Sequence, residues 1–171
     1  MYHHDGHFER LREKFRKGAL EEHEVIELLF HFIQPRVNTN DQAHDLIESS
    51  GGFCEMFDRS EESLCRIKGV GAKSALFIRN VGEVIKLYLL AQCDTTKLLK
   101  NPEELHNYLR AIYVGSYEET GYMLMFNKNG KFLGCEEIGF GNAGIQIHEH
   151  FVVAGGKFIP FSDKVAALSL R

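Results

Sequence analysis

The spacing of apolar residues changes near residue 95, and this change divides the chain into two kinds of structure. Before it, apolar residues recur at intervals of three and four, as in HFERLREKFRK and HEVIELLFHFI, which predicts amphipathic helices. After Gly115 the pattern becomes that of strands, as in ETGYMLMF and KFLGCEEI. Helices followed by paired strands indicate an α+β protein whose helical part is N-terminal.

Capping and helix-breaking residues place the ends of the N-terminal helices. The residues that mark these boundaries are Gly18, Pro35, the cap Asn40, the pair Gly51-Gly52 and the cap Ser60. FCEMF, which lies between the third helix and Ser60, is predicted to form a short turn of helix. A long helix is expected from the KGVG turn, at residues 68–71, to about Leu90.

The second half is predicted to contain one helix and two hairpins. Asn101 caps the helix and Pro102 takes its first position. Asn129-Gly130 and Gly155-Gly156 each lie between two strand patterns and predict the hairpin turns. The predicted organisation is a helical domain at 1–92, a linker at 93–101 and a helix-plus-strand domain at 102–171.

Composition limits the class of protein. Hydrophobic residues make up 44% and charged residues 26% of the 171 positions, the balance of a soluble globular chain. No apolar run approaches the roughly 20 residues of a membrane helix, and the polar N-terminus MYHHDGHFER does not resemble a signal peptide. The cysteines contain no CxxC pair, which favours free thiols in a reducing cytosol: Cys54, Cys65, Cys93 and Cys135. We therefore expect a cytoplasmic protein.

Residues 64–78, LCRIKGVGAKSALFI, predict two helices joined by a tight turn. Leu64 and Ile67 would bury one face of the first helix, and Val70 would fill the space between the two. Gly69 and Gly71 would allow backbone angles that a Cβ resists. The small Ala75 would let the second helix pack closely, and Ile78 is the last apolar position of the pattern.

This turn is also a candidate for phosphate binding. The backbone N–H groups at the start of the second helix would be unpaired and could bind an anion. The stretch is basic within a chain of net charge −4, because Glu83 is outnumbered by Arg66, Lys68, Lys73, Arg79 and Lys86. The predicted contacts to a DNA backbone are Lys68, Gly69, Val70, Gly71, Lys73 and Ser74. Few phosphates would be neutralised, so binding should be weak and salt-sensitive.

The arrangement resembles the helix-hairpin-helix motif, which grips the DNA backbone without reading sequence. The wider pattern, from HDGHFERLREKF through LCRIKGVGAKSA, resembles the helical domain of the bacterial RadC family. GYMLMFNKNGKFLGCEEIGFGN and GIQIHEHFVVAGGKFIPF resemble the first and last hairpins of that family's JAB/MPN domain. The resemblance implies an association with DNA repair and the fold of JAMM zinc metalloproteases.

The JAMM zinc site, however, is not found in the sequence. The resemblance implies a general base at Glu137, or at Glu136 if the register slips. It also implies zinc ligands in a His-x-His-Pro-Ser stretch and a later Asp, but after GFGNA the helix, central strand and ligand loop of the family are missing. His148 and His150, with the later Asp163, are a possible displaced ligand set. Strand alternation instead favours a polar face for the two histidines, so no metal or other cofactor is expected.

Three hypotheses follow from these patterns. The first is a non-catalytic RadC-like protein that contacts DNA and whose JAB/MPN domain is truncated. The second is a JAMM-type zinc metallopeptidase with a non-standard site at Glu137, His148 and His150. The third is a protein-interaction adaptor whose hairpin docks a partner. A truncated sheet would leave free edges, which predicts a homodimer through the sheet.

Overall fold

A computed structural model describes residues 4–35, 37–118, 120–138, 151–154 and 157–160. It confirms an α+β fold with the helices at the N-terminal side. In order, the helices are α1 (His4–Arg16), α2 (Glu22–Ile33), α3 (Asn40–Ser50), α4 (Glu61–Cys65), α5 (Ala72–Gln92) and α6 (Pro102–Ile112). The strands are β1 (Gly121–Phe126), β2 (Phe132–Ile138), β3 (Phe151–Ala154) and β4 (Lys157–Pro160).

Most predicted helix boundaries are confirmed because they depend on local backbone chemistry. Gly18 and Gly51 follow α1 and α3 with positive φ angles of 64° and 91°, which side chains with a Cβ rarely adopt. Ser60 and Asn101 cap α4 and α6 by accepting backbone N–H bonds, from Ser63 at 3.1 Å and from Glu103 at 3.0 Å.

Two local predictions were wrong. Thr39, not Asn40, is the cap residue of α3, and Asn40 is the first helical residue. The amide of Asn40 is used elsewhere, since its Nδ2 donates to Glu27 Oε2 at 3.3 Å. FCEMF forms hydrogen-bonded turns rather than helix, as when Phe57 N–H donates to Cys54 O at 3.1 Å.

The chain divides into two compact units, the first of which comprises Met1–Tyr88 and Val114–Tyr117. Its core is built from the apolar faces of α2, α3 and α5 and from the turns between them. The largest fully buried side chains there are Ile26, Phe30, Leu46, Met56 and Leu64. Val70 and Ala75 belong to the same core, so the KGVG turn is anchored in it.

The second unit comprises Leu89–Tyr113 and Glu118–Arg171. Leu98, in the segment predicted as a linker, is buried with Tyr108 and Ile112 of α6. Aromatic residues of the first hairpin pack on this cluster, and the rings of Tyr108 and Phe132 meet edge to face at 5.3 Å. The segment after α5 therefore contributes to a core instead of only connecting two elements.

Both predicted hairpins are present as antiparallel pairs, β1 with β2 and β3 with β4. The turn of the first hairpin contains Asn129 and Gly130, as predicted. Asn127 N–H donates to Lys131 O at 2.9 Å, which encloses a three-residue loop ending in Gly130 at φ +75°. The Asn127 side chain reinforces the loop by accepting the Asn129 N–H at 2.9 Å.

Candidate nucleic-acid interface

The KGVG turn connects α4 to α5 and is packed as the sequence indicated. Leu64, Ile67 and Val70 point into the first core, while Lys68 and Lys73 are exposed. Because α4 is only five residues long, the burial of these apolar side chains rather than helix propensity holds the turn in place.

The two glycines of the turn have different roles. Gly69 has φ +83°, and a Cβ there would lie 3.3 Å from Cγ of Gln42, so both conformation and space favour glycine. Gly71 lies outside the left-handed region, and a Cβ there would meet no heavy atom within 4 Å. Backbone freedom, which we expected to explain both, therefore explains only Gly69. The surface at Gly71 is open to an approaching group.

Two glutamines support the turn from neighbouring elements, and sequence reasoning did not identify either. Gln42 of α3 is 8% exposed, and its Nε2 donates to the carbonyl of Gly69. Gln34, just after α2, donates through Nε2 to Ser74 Oγ at 2.6 Å. The one signal in the sequence was that Gln42 lies one helical turn before the apolar Leu46, on the buried face of α3.

Ser74 was predicted to contact phosphate through its hydroxyl. The residue is 2% exposed, and its Oγ is engaged by Gln34. Its backbone N–H still belongs to the first turn of α5. The hydroxyl thus faces the protein interior, and its role here is to join α5 to the end of α2.

The first turn of α5 leaves donors for an external acceptor. Its first backbone bond is from Ala75 N–H to Gly71 O at 2.9 Å. The N–H groups of Ala72, Lys73 and Ser74 precede this bond and have no helical acceptor. No acidic residue lies in this turn, and neither Lys68 nor Lys73 forms an ion pair within the described part of the chain. No carboxylate of its own first turn therefore complements the positive end of this helix dipole.

Other basic residues of the stretch are already engaged. Arg66 pairs with Glu62 at 2.5 Å. Arg79 donates to the carbonyls of Phe57 and Gly115 at 2.7 and 2.8 Å, and its guanidinium lies over the ring of Tyr117. Arg79 thus connects the segment Val114–Tyr117 to Phe57 within the first unit, which is a structural role.

Asp58 also binds the segment Val114–Tyr117. Its Oδ1 accepts the Gly115 N–H at 2.7 Å. Partial desolvation of the carboxyl, and to a smaller extent the charge of Glu55, raise the pKa of Asp58, and the Gly115 N–H and the charge of Arg79 partly oppose this shift.

A second polar cluster lies between α1 and α2. Glu27 is 3% exposed, and His7 Nε2 lies 2.6 Å from its Oε1. Arg10 Nη2 lies 3.2 Å from the other ring nitrogen of His7, Nδ1. The cluster lines an open cleft of about 340 Å³, including solvent-facing space. Its polar groups satisfy one another, which is typical of a structural network.

Of the candidate zinc-site residues, only the two glutamates lie within the described residues. Glu136 and Glu137 are exposed on β2, opposite Met123 and Tyr122 of β1. His148, His150 and Asp163 lie outside the described residues. Within the described ranges, no group of three or more His, Cys, Asp or Glu side chains is placed to hold a metal ion. Nor, in the same ranges, is any helix long and apolar enough to cross a membrane.

Comparison with known proteins agrees with the RadC resemblance. No protein-family model matches the chain, and no solved structure matches it. It is 28% identical over 142 residues to a UPF0758 protein of Fusobacterium nucleatum, an alignment covering 77% of this chain and 61% of that protein. It is 23% identical over 133 residues to a UPF0758 protein of Pseudoalteromonas translucida, covering 78% and 59%. The chain spans about three fifths of the length of these curated relatives. UPF0758 is the curated name of the RadC family, so the chain is similar to RadC-family proteins over most of its length.

Proposed function

We propose that this chain is a RadC-like, DNA-repair-associated protein that contacts the DNA backbone without sequence specificity through the turn at residues 68–74. The observation that carries the proposal is the open, positively charged start of α5. Gly71 leaves the surface clear, and exposed Lys68 and Lys73 flank it. A phosphate oxygen there would accept backbone N–H bonds and lie between two ammonium groups.

The contrast with other helices supports this assignment. Helices α2, α3, α4 and α6 each carry acidic residues in the first turn, which complement their own dipoles. The 21-residue helix α5 has Lys73 there and no acidic residue. An external anion would supply the missing negative charge.

The activity proposed is binding rather than catalysis. The resemblance implies that a JAMM enzyme would need a His-x-His-Pro-Ser stretch, which the sequence does not contain. Contacts to backbone phosphates carry no sequence information, so the proposed interface would not distinguish one DNA sequence from another.

The test is a fluorescence anisotropy titration with a labelled duplex at several salt concentrations. With about two phosphates neutralised, log K should fall with log salt at a slope of about −1.8. The double variant K68A/K73A should bind at least tenfold more weakly at low salt, with a slope near zero.

A matched control is K128A/K131A. It removes two exposed lysines of the β1–β2 hairpin turn and changes the net charge by the same amount. This control should bind as the wild type does. An absence of binding at low salt, or equal losses in the two double variants, would contradict the proposal.

A further inference from the structure

We propose that Phe32, near the C-terminal end of α2, stacks against an unpaired nucleobase, so that the preferred ligand is DNA with single-stranded nucleotides beside a duplex. This inference rests on the proposed function and adds a substrate class to it. It concerns a surface that backbone contacts at the KGVG turn do not require.

The ring of Phe32 is exposed and yet held in place. It is 69% exposed, although Phe30 two residues earlier is fully buried. The rings of Phe8 and His31 meet it nearly perpendicularly, at 6.1 and 6.4 Å between centroids. Edge-to-face contacts of this kind favour one orientation of a ring. A fixed ring loses little freedom when a planar ligand stacks on it.

The surroundings of the ring suit nucleic acid. Phe8 and His31 are themselves stacked at 3.6 Å with a 16° angle between their planes. The guanidinium of Arg12 lies 5.7 Å from the Phe8 ring centroid, although it also pairs with Glu9 at 2.9 Å. Aromatic rings combined with a cation are the means by which proteins bind unpaired bases of any sequence.

Phe32 lies in the same unit as the proposed phosphate site, two residues before Gln34, which contacts the first turn of α5. Gln34 donates directly to Ser74 in the first turn of α5. The α carbons of Phe32 and Gln34 can be no more than about 7 Å apart, the extended length of two residues. One DNA strand could therefore place a phosphate at the turn and a base on Phe32 within a few nucleotides.

Leucine and tryptophan substitutions separate base stacking from a merely apolar contact. F32L keeps an apolar side chain but removes the π face, whereas F32W keeps and enlarges it. The chain contains no tryptophan, so F32W introduces a single indole whose fluorescence reports stacking. Y88A is the control, because Tyr88 is a similarly exposed aromatic residue, at 65%, on α5.

The experiment compares a fully paired duplex with a gapped duplex of the same length. The wild type and Y88A should bind the gapped DNA about tenfold more tightly, the preference that one stacked base confers. F32L should bind the two DNAs equally and should keep the affinity of the wild type for the paired duplex. F32W should keep the preference, and gapped DNA should quench its indole.

Several results would overturn the inference. One is a preference for gapped DNA in F32L equal to that of the wild type, which would show that the preference does not come from the Phe32 ring. Another is F32W fluorescence that saturating gapped DNA leaves unchanged. In either case a loss of duplex binding in K68A/K73A would leave the proposed function standing. No DNA binding by any variant would instead remove the proposed function itself.

Discussion

Gly69 and Gly71 are two residues apart in the same turn, and the structure predicts opposite effects when each becomes alanine. Gly69 adopts φ +83°, while Gly71 does not enter the left-handed region. A Cβ on Gly69 would also approach Gln42 Cγ to 3.3 Å, whereas a Cβ on Gly71 would meet open space. The pair thus separates a conformational requirement from a functional one.

The magnitudes follow from these environments. For G69A, an L-residue in the left-handed region costs about 1–2 kcal/mol of folding free energy, and displacement of Gln42 adds to that cost. For G71A, the native backbone accepts alanine, and the smaller entropy of the unfolded chain should stabilise the protein by about 0.4–1 kcal/mol. The added methyl of G71A, however, occupies the space through which a phosphate would approach the N–H groups of α5.

Urea unfolding followed by far-UV circular dichroism measures the first effect, since α1 to α4 and most of α5 lie in the first unit. With a slope of about 2 kcal/mol per molar urea, G69A should lower the midpoint by about 0.5–1 M. Anisotropy titrations measure the second effect. In G71A the slope of log K against log salt should be less steep than in the wild type by about 0.9, which corresponds to the loss of one phosphate contact. A stable G71A that binds DNA like the wild type would refute phosphate contact at the turn. A G69A variant of unchanged stability would refute the conformational reasoning.

Three further predictions test other parts of the chain. Q34L leaves the buried Ser74 hydroxyl unpaired and should lower the free energy of unfolding by about 1–3 kcal/mol. The double variant Q34L/S74A should lower it by less than the sum of the two single changes, as measured by urea unfolding. Additive losses would contradict the hydrogen bond between Gln34 and Ser74. The raised pKa of Asp58 means that the folded state binds its proton more tightly, so ionisation destabilises the fold as pH rises from 3.8 through the higher folded-state pKa. D58N, which keeps an acceptor for the Gly115 N–H, should therefore be more stable than the wild type at pH 7, with the difference in urea midpoint shrinking toward pH 4; a difference that grows on acidification would contradict the sign. Elemental analysis of untagged protein should find no stoichiometric zinc, whereas zinc that is present and lost in H148A would favour the metallopeptidase hypothesis.

The features that sequence reasoning placed correctly are those decided by nearby residues. Gly18 and Gly51 end helices through their own backbone conformations, and Ser60 caps α4 through a residue three positions away. The alternating patterns that predicted strands are equally local. These signals need no knowledge of the rest of the chain.

Apart from the cap of α3 and the FCEMF turn, the errors and omissions concern the candidate site and involve partners distant in sequence. Ser74 seemed free to contact phosphate because Gln34, its partner, lies 40 positions away. Arg79 seemed part of a basic surface because the carbonyls it binds, on Phe57 and Gly115, lie 22 and 36 positions away. Composition counts such side chains as surface charge, whereas the fold uses them to join segments.

With Arg79 held by two carbonyls and Arg66 offset by the exposed Glu62, less charge is available at the turn for DNA binding. Lys68 and Lys73 remain at the turn, and Lys86 lies about 20 Å further along α5, given 1.5 Å per residue. So small a charge supplies little affinity at physiological salt. Stacking on Phe32 would add a contribution that releases no counterions. Plots of log K against log salt for gapped and paired DNA should therefore be parallel lines, separated by the stacking contribution, because the phosphate contacts set the slope and the exposed ring sets the offset.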